Sequence, residues 1–195
     1  MLDSALRPLK DRLLEPLAGL PIPPLWLTLL GLALGLVAAV LAAQSRFPEA
    51  LACFWAGRLC DGLDGVVARR QNRQSDRGGY LDLMADILVY ASIVLALGCS
   101  RGDRATLLAL AFLLASYYVN AASWMLLSAL LKRPEGSATS LVMPAGMVGG
   151  TETIILYTLL LVFPAWMSGW FWLTAALVSL GAAQRVAWSV RHLPG

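Results

Sequence analysis

The chain has 195 residues, 58% of them hydrophobic and only 14% charged, with a mean hydropathy of +0.69. That composition excludes a water-soluble domain and places the chain in a bilayer. At about 20 apolar residues per crossing, roughly six spanning helices fit and no separate soluble domain does.

In chain order, residues 1–20 place Leu2, Leu6, Leu9, Leu13 and Leu17 at spacings of three and four, with Arg7, Lys10, Asp11 and Arg12 between them. The pattern predicts an amphipathic helix lying on the membrane surface. Pro16, Pro21, Pro23 and Pro24 end it before the chain enters the bilayer. The uncharged run from Leu25 to Ala43 is long enough to span. Asp3, Asp11 and Glu15 ahead of it make a poor signal-peptide n-region, so it is read as a retained helix. Further apolar segments follow over about 49–69, 79–99, 104–130, 143–165 and 168–190. They are continuous rather than alternating, which excludes a β-barrel. The expected fold is all-α and integral to the membrane: six transmembrane helices over 25–190 preceded by the interfacial helix, all one domain over 1–195.

Cations sort by loop. Arg69, Arg70, Arg73, Arg77, Lys132 and Arg133 join those before the first span and Arg191 after the last; the opposite loops hold Arg46, Arg101 and Arg104. Both termini and the 70–78 and 131–142 loops are therefore expected on the cytoplasmic side. The net charge of +3 marks topology and not a nucleic-acid footprint. Three cysteines without CxxC spacing argue against a disulfide framework or a zinc site, and the single histidine, His192, argues against a Ser-His-Asp triad. Chemistry therefore has to rest on carboxylates.

Four acids, Asp61, Asp64, Asp82 and Asp86, fall within or beside the second and third spans. Each costs about 2.5–3.5 kcal/mol at bilayer depth and needs a cation, a proton or water. Any one of them is explained by pairing with Arg58, Arg69 or Arg70, or by emerging at the cytoplasmic edge; four together are not. At 100° per residue Asp61, Asp64, Gly65, Ala68 and Arg69 share one face, and Gly78, Asp82 and Asp86 share another. The short intervening loop makes the two helices antiparallel neighbours, so all four carboxylates are expected around one spot. Such a cluster of oxygen ligands favours Mg²⁺ or Mn²⁺. Arg58, one turn before Asp61, either orients that carboxylate or snorkels.

The window reads Asp-x2-Asp-Gly-x2-Ala-Arg-x8-Gly-x3-Asp-x3-Asp, filled by Asp61, Asp64, Gly65, Ala68, Arg69, Gly78, Asp82 and Asp86. It resembles the signature of the CDP-alcohol phosphotransferases. The motif covers 26 residues, and the similarity in size, span count and leading helix extends over most of the chain. One departure is visible: many members carry Pro-Asn before the first span, where this chain has Pro24-Leu25-Trp26-Leu27-Thr28. The resemblance implies that Asp61, Asp64 and Asp82 hold divalent metal that grips the diphosphate of a CDP-linked donor, and that Asp86 is the general base, also touching metal. It further implies that Gly65 and Ala68 accommodate the cytidine, that Arg69 contacts the diphosphate, and that Gly78 keeps the third helix close. For the three small residues the alternative is plain helix packing; for Arg69 it is anchoring.

The expected donor is CDP-diacylglycerol, in contact with membrane lipids, and the expected location is a bacterial inner membrane. The acceptor is a small alcohol, with glycerol 3-phosphate favoured over inositol phosphate, serine or choline because the cytoplasmic edges are basic. Lys132, Arg133 and Arg185 are candidate phosphate ligands. Glu152, about two turns into the fifth segment, is a candidate for an acceptor amine or hydroxyl, or for pairing with Arg185. A homodimer is implied by the family resemblance. Rival classes are a membrane prenyltransferase, which needs a second acidic cluster, and a divalent-cation transporter.

Overall fold

The computed structural model describes residues 21–131 and 149–193, with Pro16 and Gly19. Those two apart, the segment expected to form an interfacial helix lies outside the described residues, as do Lys132 and Arg133. The described residues form α1 (Pro24–Ala43), α2 (Phe47–Arg70), α3 (Asp76–Arg101), α4 (Arg104–Leu130), α5 (Gly150–Val162) and α6 (Met167–His192), with a 3₁₀ turn at Pro164–Trp166. They contain no strand, in agreement with the all-α expectation.

Among the described residues, four units are long and apolar enough to cross a membrane: α1, α3, α4 and the stretch Pro164–His192 that includes α6. The six expected spans are thus met in part. At 24 residues α2 has the length, but it carries the acids and arginines of the motif. α5 has only 13 residues, about 20 Å of helix against hydrocarbon about 30 Å thick. The segment expected over 143–165 is cut at Phe163 (φ −119°, ψ 61°), because the residue before Pro164 is pushed out of the helical region.

Local chemistry sets the helix ends. Pro24 occupies the first turn of α1, where its missing N–H costs nothing. Between α2 and α3, Asn72 takes a left-handed conformation (φ 51°), which asparagine tolerates better than most residues. Ser75 then caps α3 by accepting the Gly78 N–H at 3.0 Å. Gly102 (φ 68°) closes α3, and Asp103 caps α4 by accepting the Thr106 N–H at 3.0 Å.

The packing around α1 decides where the site lies. A Cβ on Gly31 would meet the Gly57 carbonyl oxygen at 3.1 Å, and one on Gly57 would meet the Gly31 oxygen at 3.0 Å. The α1 and α2 backbones touch there because neither residue has a side chain. On a neighbouring face of α1, Gly35 admits Val89 of α3. Thus α1 packs closely on both α2 and α3, whereas α2 and α3 make little close backbone approach to each other. The expected meeting of the acidic faces of α2 and α3 is observed, and it is made by side chains: Asp61, Asp64 and Asp82 converge across the two helices, and Arg58 pairs with Asp86. Phe54, Val89, Ile93, Leu97, Leu113 and Phe171 fill the main core, and a smaller cluster of Leu27, Leu63, Val66 and Val67 lies at the acidic end.

Candidate functional site

Asp61 and Asp64 rise from α2 and Asp82 from α3, each offering a carboxylate oxygen, and these oxygens lie within 4.8 Å of one another. Asp64 is buried and accepts a hydrogen bond from Thr28 Oγ1 on α1. Asp82 Oδ1 is buried with no hydrogen-bond partner. An orphaned buried carboxylate oxygen facing two further carboxylates is costly unless a cation completes it. The oxygen-only donor set and the spacing fit a hard divalent ion such as Mg²⁺ or Mn²⁺.

Asp86 stands outside this trio. Its carboxylate pairs with the Arg58 guanidinium, so the four-carboxylate cluster expected from helical phase becomes three plus one. Arg58 is buried, lies 3.6 Å from Asp61 Oδ2, and is held between the rings of Phe54 and Tyr90, with its Cζ 5.9 and 5.2 Å from their centroids. It bridges two acids on two helices, where the sequence suggested local orientation of Asp61 or snorkelling.

Among the described residues, the two glycines of the motif are not helix-packing contacts. A Cβ on Gly65 would meet, among the described residues, only Arg69 Nη1, at 3.4 Å, and one on Gly78 only its own cap, Ser75 Oγ, at 3.2 Å. Gly78 therefore does not bring α3 close to α2, and that expectation is corrected. Both glycines leave open surface beside the carboxylates, while Arg69 folds back along α2 over Gly65. Ala68 is partly buried on the same helix.

The acceptor candidates divide. Glu152 is in the first turn of α5 and not two turns in, and its carboxylate accepts the Gly149 N–H at 3.1 Å, as in a capping box. Arg185 is buried; its Nη1 donates to Asn120 Oδ1 at 2.8 Å and Ser123 Oγ at 3.0 Å, and its Nε has no partner. Thr28, Tyr90, Asn120 and Ser123 were not singled out in the sequence. A signal for two of them existed: Thr28 continues the small-residue stripe Gly31 and Gly35, and Tyr90 extends the stride of four from Gly78 through Asp86.

A family model for CDP-alcohol phosphatidyltransferase matches residues 22–182, and that range holds every residue of the acidic motif. The chain belongs to the CDP-alcohol phosphatidyltransferase family. It is therefore a transferase of phospholipid biosynthesis and an integral membrane protein. Among its relatives is the inner membrane protein YnjF of Escherichia coli K12, 33% identical over 193 residues, covering 96% of this chain and 92% of YnjF. Two crystal structures of Mycobacterium tuberculosis phosphatidylinositol phosphate synthase (PgsA1) share the fold. One, with CDP-DAG bound, has a TM-score of 0.67 at 19% identity and covers 91% of this chain and 92% of that one. The other, in complex with manganese and citrate, has a TM-score of 0.70 at 21% identity, covering 95% and 90%.

Proposed function

We propose that this family member transfers a phosphatidyl group from CDP-diacylglycerol to the hydroxyl of a small phosphorylated alcohol, glycerol 3-phosphate in the first instance, releasing CMP. The observation that carries the assignment is the convergence of Asp61, Asp64 and Asp82 within 4.8 Å, beside glycine faces against which no other helix packs among the described residues. Those three side chains would hold Mg²⁺ or Mn²⁺. When bound, the ion supplies Lewis-acid stabilisation of negative charge on the donor's phosphates.

The chain's own residues do the rest. Gly65 and Ala68 present the surface on which the cytidine lies, and Arg69, folded over Gly65, neutralises diphosphate oxygens. The open face at Gly78 admits the nucleotide from the α3 side. Asp86 takes the proton of the acceptor hydroxyl as its oxygen bonds to the phosphatidyl phosphorus and the bond to the CMP oxygen breaks. Arg185 supports a phosphorylated acceptor: it is a buried guanidinium with one N–H free of partners, at the same end of the helix bundle as the acids by alternation of helix direction. Lys132 and Arg133 are proposed to add positive charge there. Glu152, whose carboxylate accepts the Gly149 N–H at the start of α5, is retained as a lower-ranked candidate for an acceptor hydroxyl or amine.

The chain is further proposed to form one six-span domain over 25–190, with residues 1–20 on the membrane surface. Both termini and the site are proposed to lie on the cytoplasmic side of an inner membrane, a reading that the basic loops support, and the working assembly is proposed to be a homodimer. The test is CMP release by purified protein in lipid nanodiscs, given CDP-diacylglycerol with glycerol 3-phosphate, inositol phosphate, serine or choline. Metal-dependent CMP release with a phosphorylated polyol is expected, and Asp86→Asn should reduce it by about 100-fold or more while leaving donor binding intact. Divalent-ion flux in proteoliposomes without CMP release would overturn the assignment.

A further inference from the structure

The helices sort into two sets. Among the described residues α1 packs along α2 and α3, α4 packs along α6, and the short α5 meets α2 on one side and α6 on the other. The acids belong to the first set and Arg185, on α6, to the second, so chemistry that uses both depends on how the sets are aligned. Tyr157 of α5 sits where they join. It is fully buried in the main core, its ring stacked on Phe54 of α2 at 6.0 Å and tilted against Tyr90 of α3 at 4.8 Å. Its hydroxyl donates to the Tyr90 carbonyl oxygen at 2.9 Å and lies 3.0 Å from the Tyr117 hydroxyl of α4. A hydroxyl has a single proton to give. With that proton on the carbonyl, Tyr157 accepts from Tyr117, and the chain of hydrogen bonds runs from α4 through α5 to α3. Phenylalanine would fill the same space with no polar group to satisfy, so the hydroxyl contributes alignment rather than burial.

Both ends of this chain lie one helical turn from a functional group. Tyr90 is four residues after Asp86 on α3, and its own hydroxyl is 3.4 Å from Arg58 Nη1. Tyr117 is three residues before Asn120 on α4, whose Oδ1 accepts from Arg185 Nη1 at 2.8 Å. We propose that Tyr157 is a positioning residue: by joining α3 to α4 it fixes the separation between the carboxylates, where the CDP-linked donor reacts, and Arg185, where the phosphorylated acceptor is held. The proposal rests on the acceptor role given to Arg185 above. A misplacement of about 1 Å between reacting groups costs about 100-fold in rate, so a buried link between the two sets of helices acts on turnover without touching either substrate.

The experiment measures CMP release by the full chain in nanodiscs, with glycerol 3-phosphate or inositol phosphate varied at saturating CDP-diacylglycerol and the donor then varied in turn, beside Mn²⁺ affinity. Tyr157→Phe keeps the stacked ring and removes both hydrogen bonds, whereas Tyr117→Phe removes only the link to α4. Each should lower acceptor kcat/KM by about tenfold, with donor KM and Mn²⁺ affinity at wild-type values. The double variant should lose no more than Tyr157→Phe alone, because both substitutions break one chain. A role in folding alone would lower the melting temperature and leave acceptor kcat/KM unchanged. Wild-type acceptor kcat/KM in either variant, equal losses in donor and acceptor parameters, or additive losses in the double variant would overturn the proposal. Arg185→Gln separates it from the reading beneath it. A raised acceptor KM there, with wild-type kinetics in the tyrosine variants, overturns the tyrosine link alone; an unchanged acceptor KM, or wild-type turnover with neither acceptor, overturns the acceptor reading and this proposal with it.

Discussion

Replacing Thr28 with valine tests whether α1 takes part in the acidic site. Valine keeps the branched shape and removes the hydroxyl that reaches across from α1 to Asp64. Thr28 and Asp64 are both buried, so water cannot readily take over the lost donor. A hydrogen bond to an ionised partner contributes about 1.5–3 kcal/mol, which corresponds to about 10- to 100-fold in an equilibrium constant. If the hydroxyl fixes the Asp64 carboxylate in the orientation that faces Asp61 and Asp82, the loss appears in metal affinity, in the range found when residues supporting a metal ligand are removed. Mn²⁺ binding to the protein in nanodiscs gives the affinity directly, and CMP release as a function of Mn²⁺ gives it in turnover. Thr28→Ser retains the donor and should stay near wild type. Wild-type Mn²⁺ affinity in Thr28→Val, or equal losses in the serine and valine variants, would refute the link between the first helix and the carboxylates.

Gly35→Ala would place a Cβ 2.6 Å from Val89 Cγ1 and closer still to Cγ2. Forcing α1 away from α3 should cost about 1–3 kcal/mol, visible as a lower melting temperature in detergent, with partial recovery when Val89→Ala is added. Gly65→Ala has room, meeting only Arg69 among the described residues, and alanine favours a helix by about 0.5–1 kcal/mol. The variant should therefore melt no lower than wild type while its KM for CDP-diacylglycerol rises; an unchanged KM would remove cytidine from that face. Asp103 lies outside the spans, and hydrogen bonds from Thr106 Oγ1 and N–H hold its carboxyl below the ordinary aspartate value. Because the folded value is depressed, its stabilising effect is complete above the unfolded value of about 3.9 and disappears as pH falls through the folded one. An asparagine at this position caps without titrating, so the melting-temperature difference between wild type and Asp103→Asn should shrink on acidification below about pH 4; a constant difference would show that charge has no part in the cap.

What was legible in the sequence divides along a physical line. Features set by one helix alone were readable: the continuous apolar runs, the phase that puts Asp61 and Asp64 on one face, and the stride from Gly78 to Asp86. Cutting the fifth segment at Phe163 was readable in principle from Pro164, but its 13-residue length was hidden by the apolar residues on either side. Features set by the distance between helices were not readable. Phase alone predicts that four carboxylates on facing helices meet, yet it says nothing of what else enters the gap. Here Gly31, Gly35 and Gly57 draw α1 against both partners, which brings Thr28 to Asp64 and leaves room between α2 and α3. Arg58 is then long enough to cross that room to Asp86. A motif of spaced aspartates therefore tells which carboxylates can come together, whereas residues outside it decide which do: Asp61, Asp64 and Asp82 converge, and Asp86 pairs with Arg58.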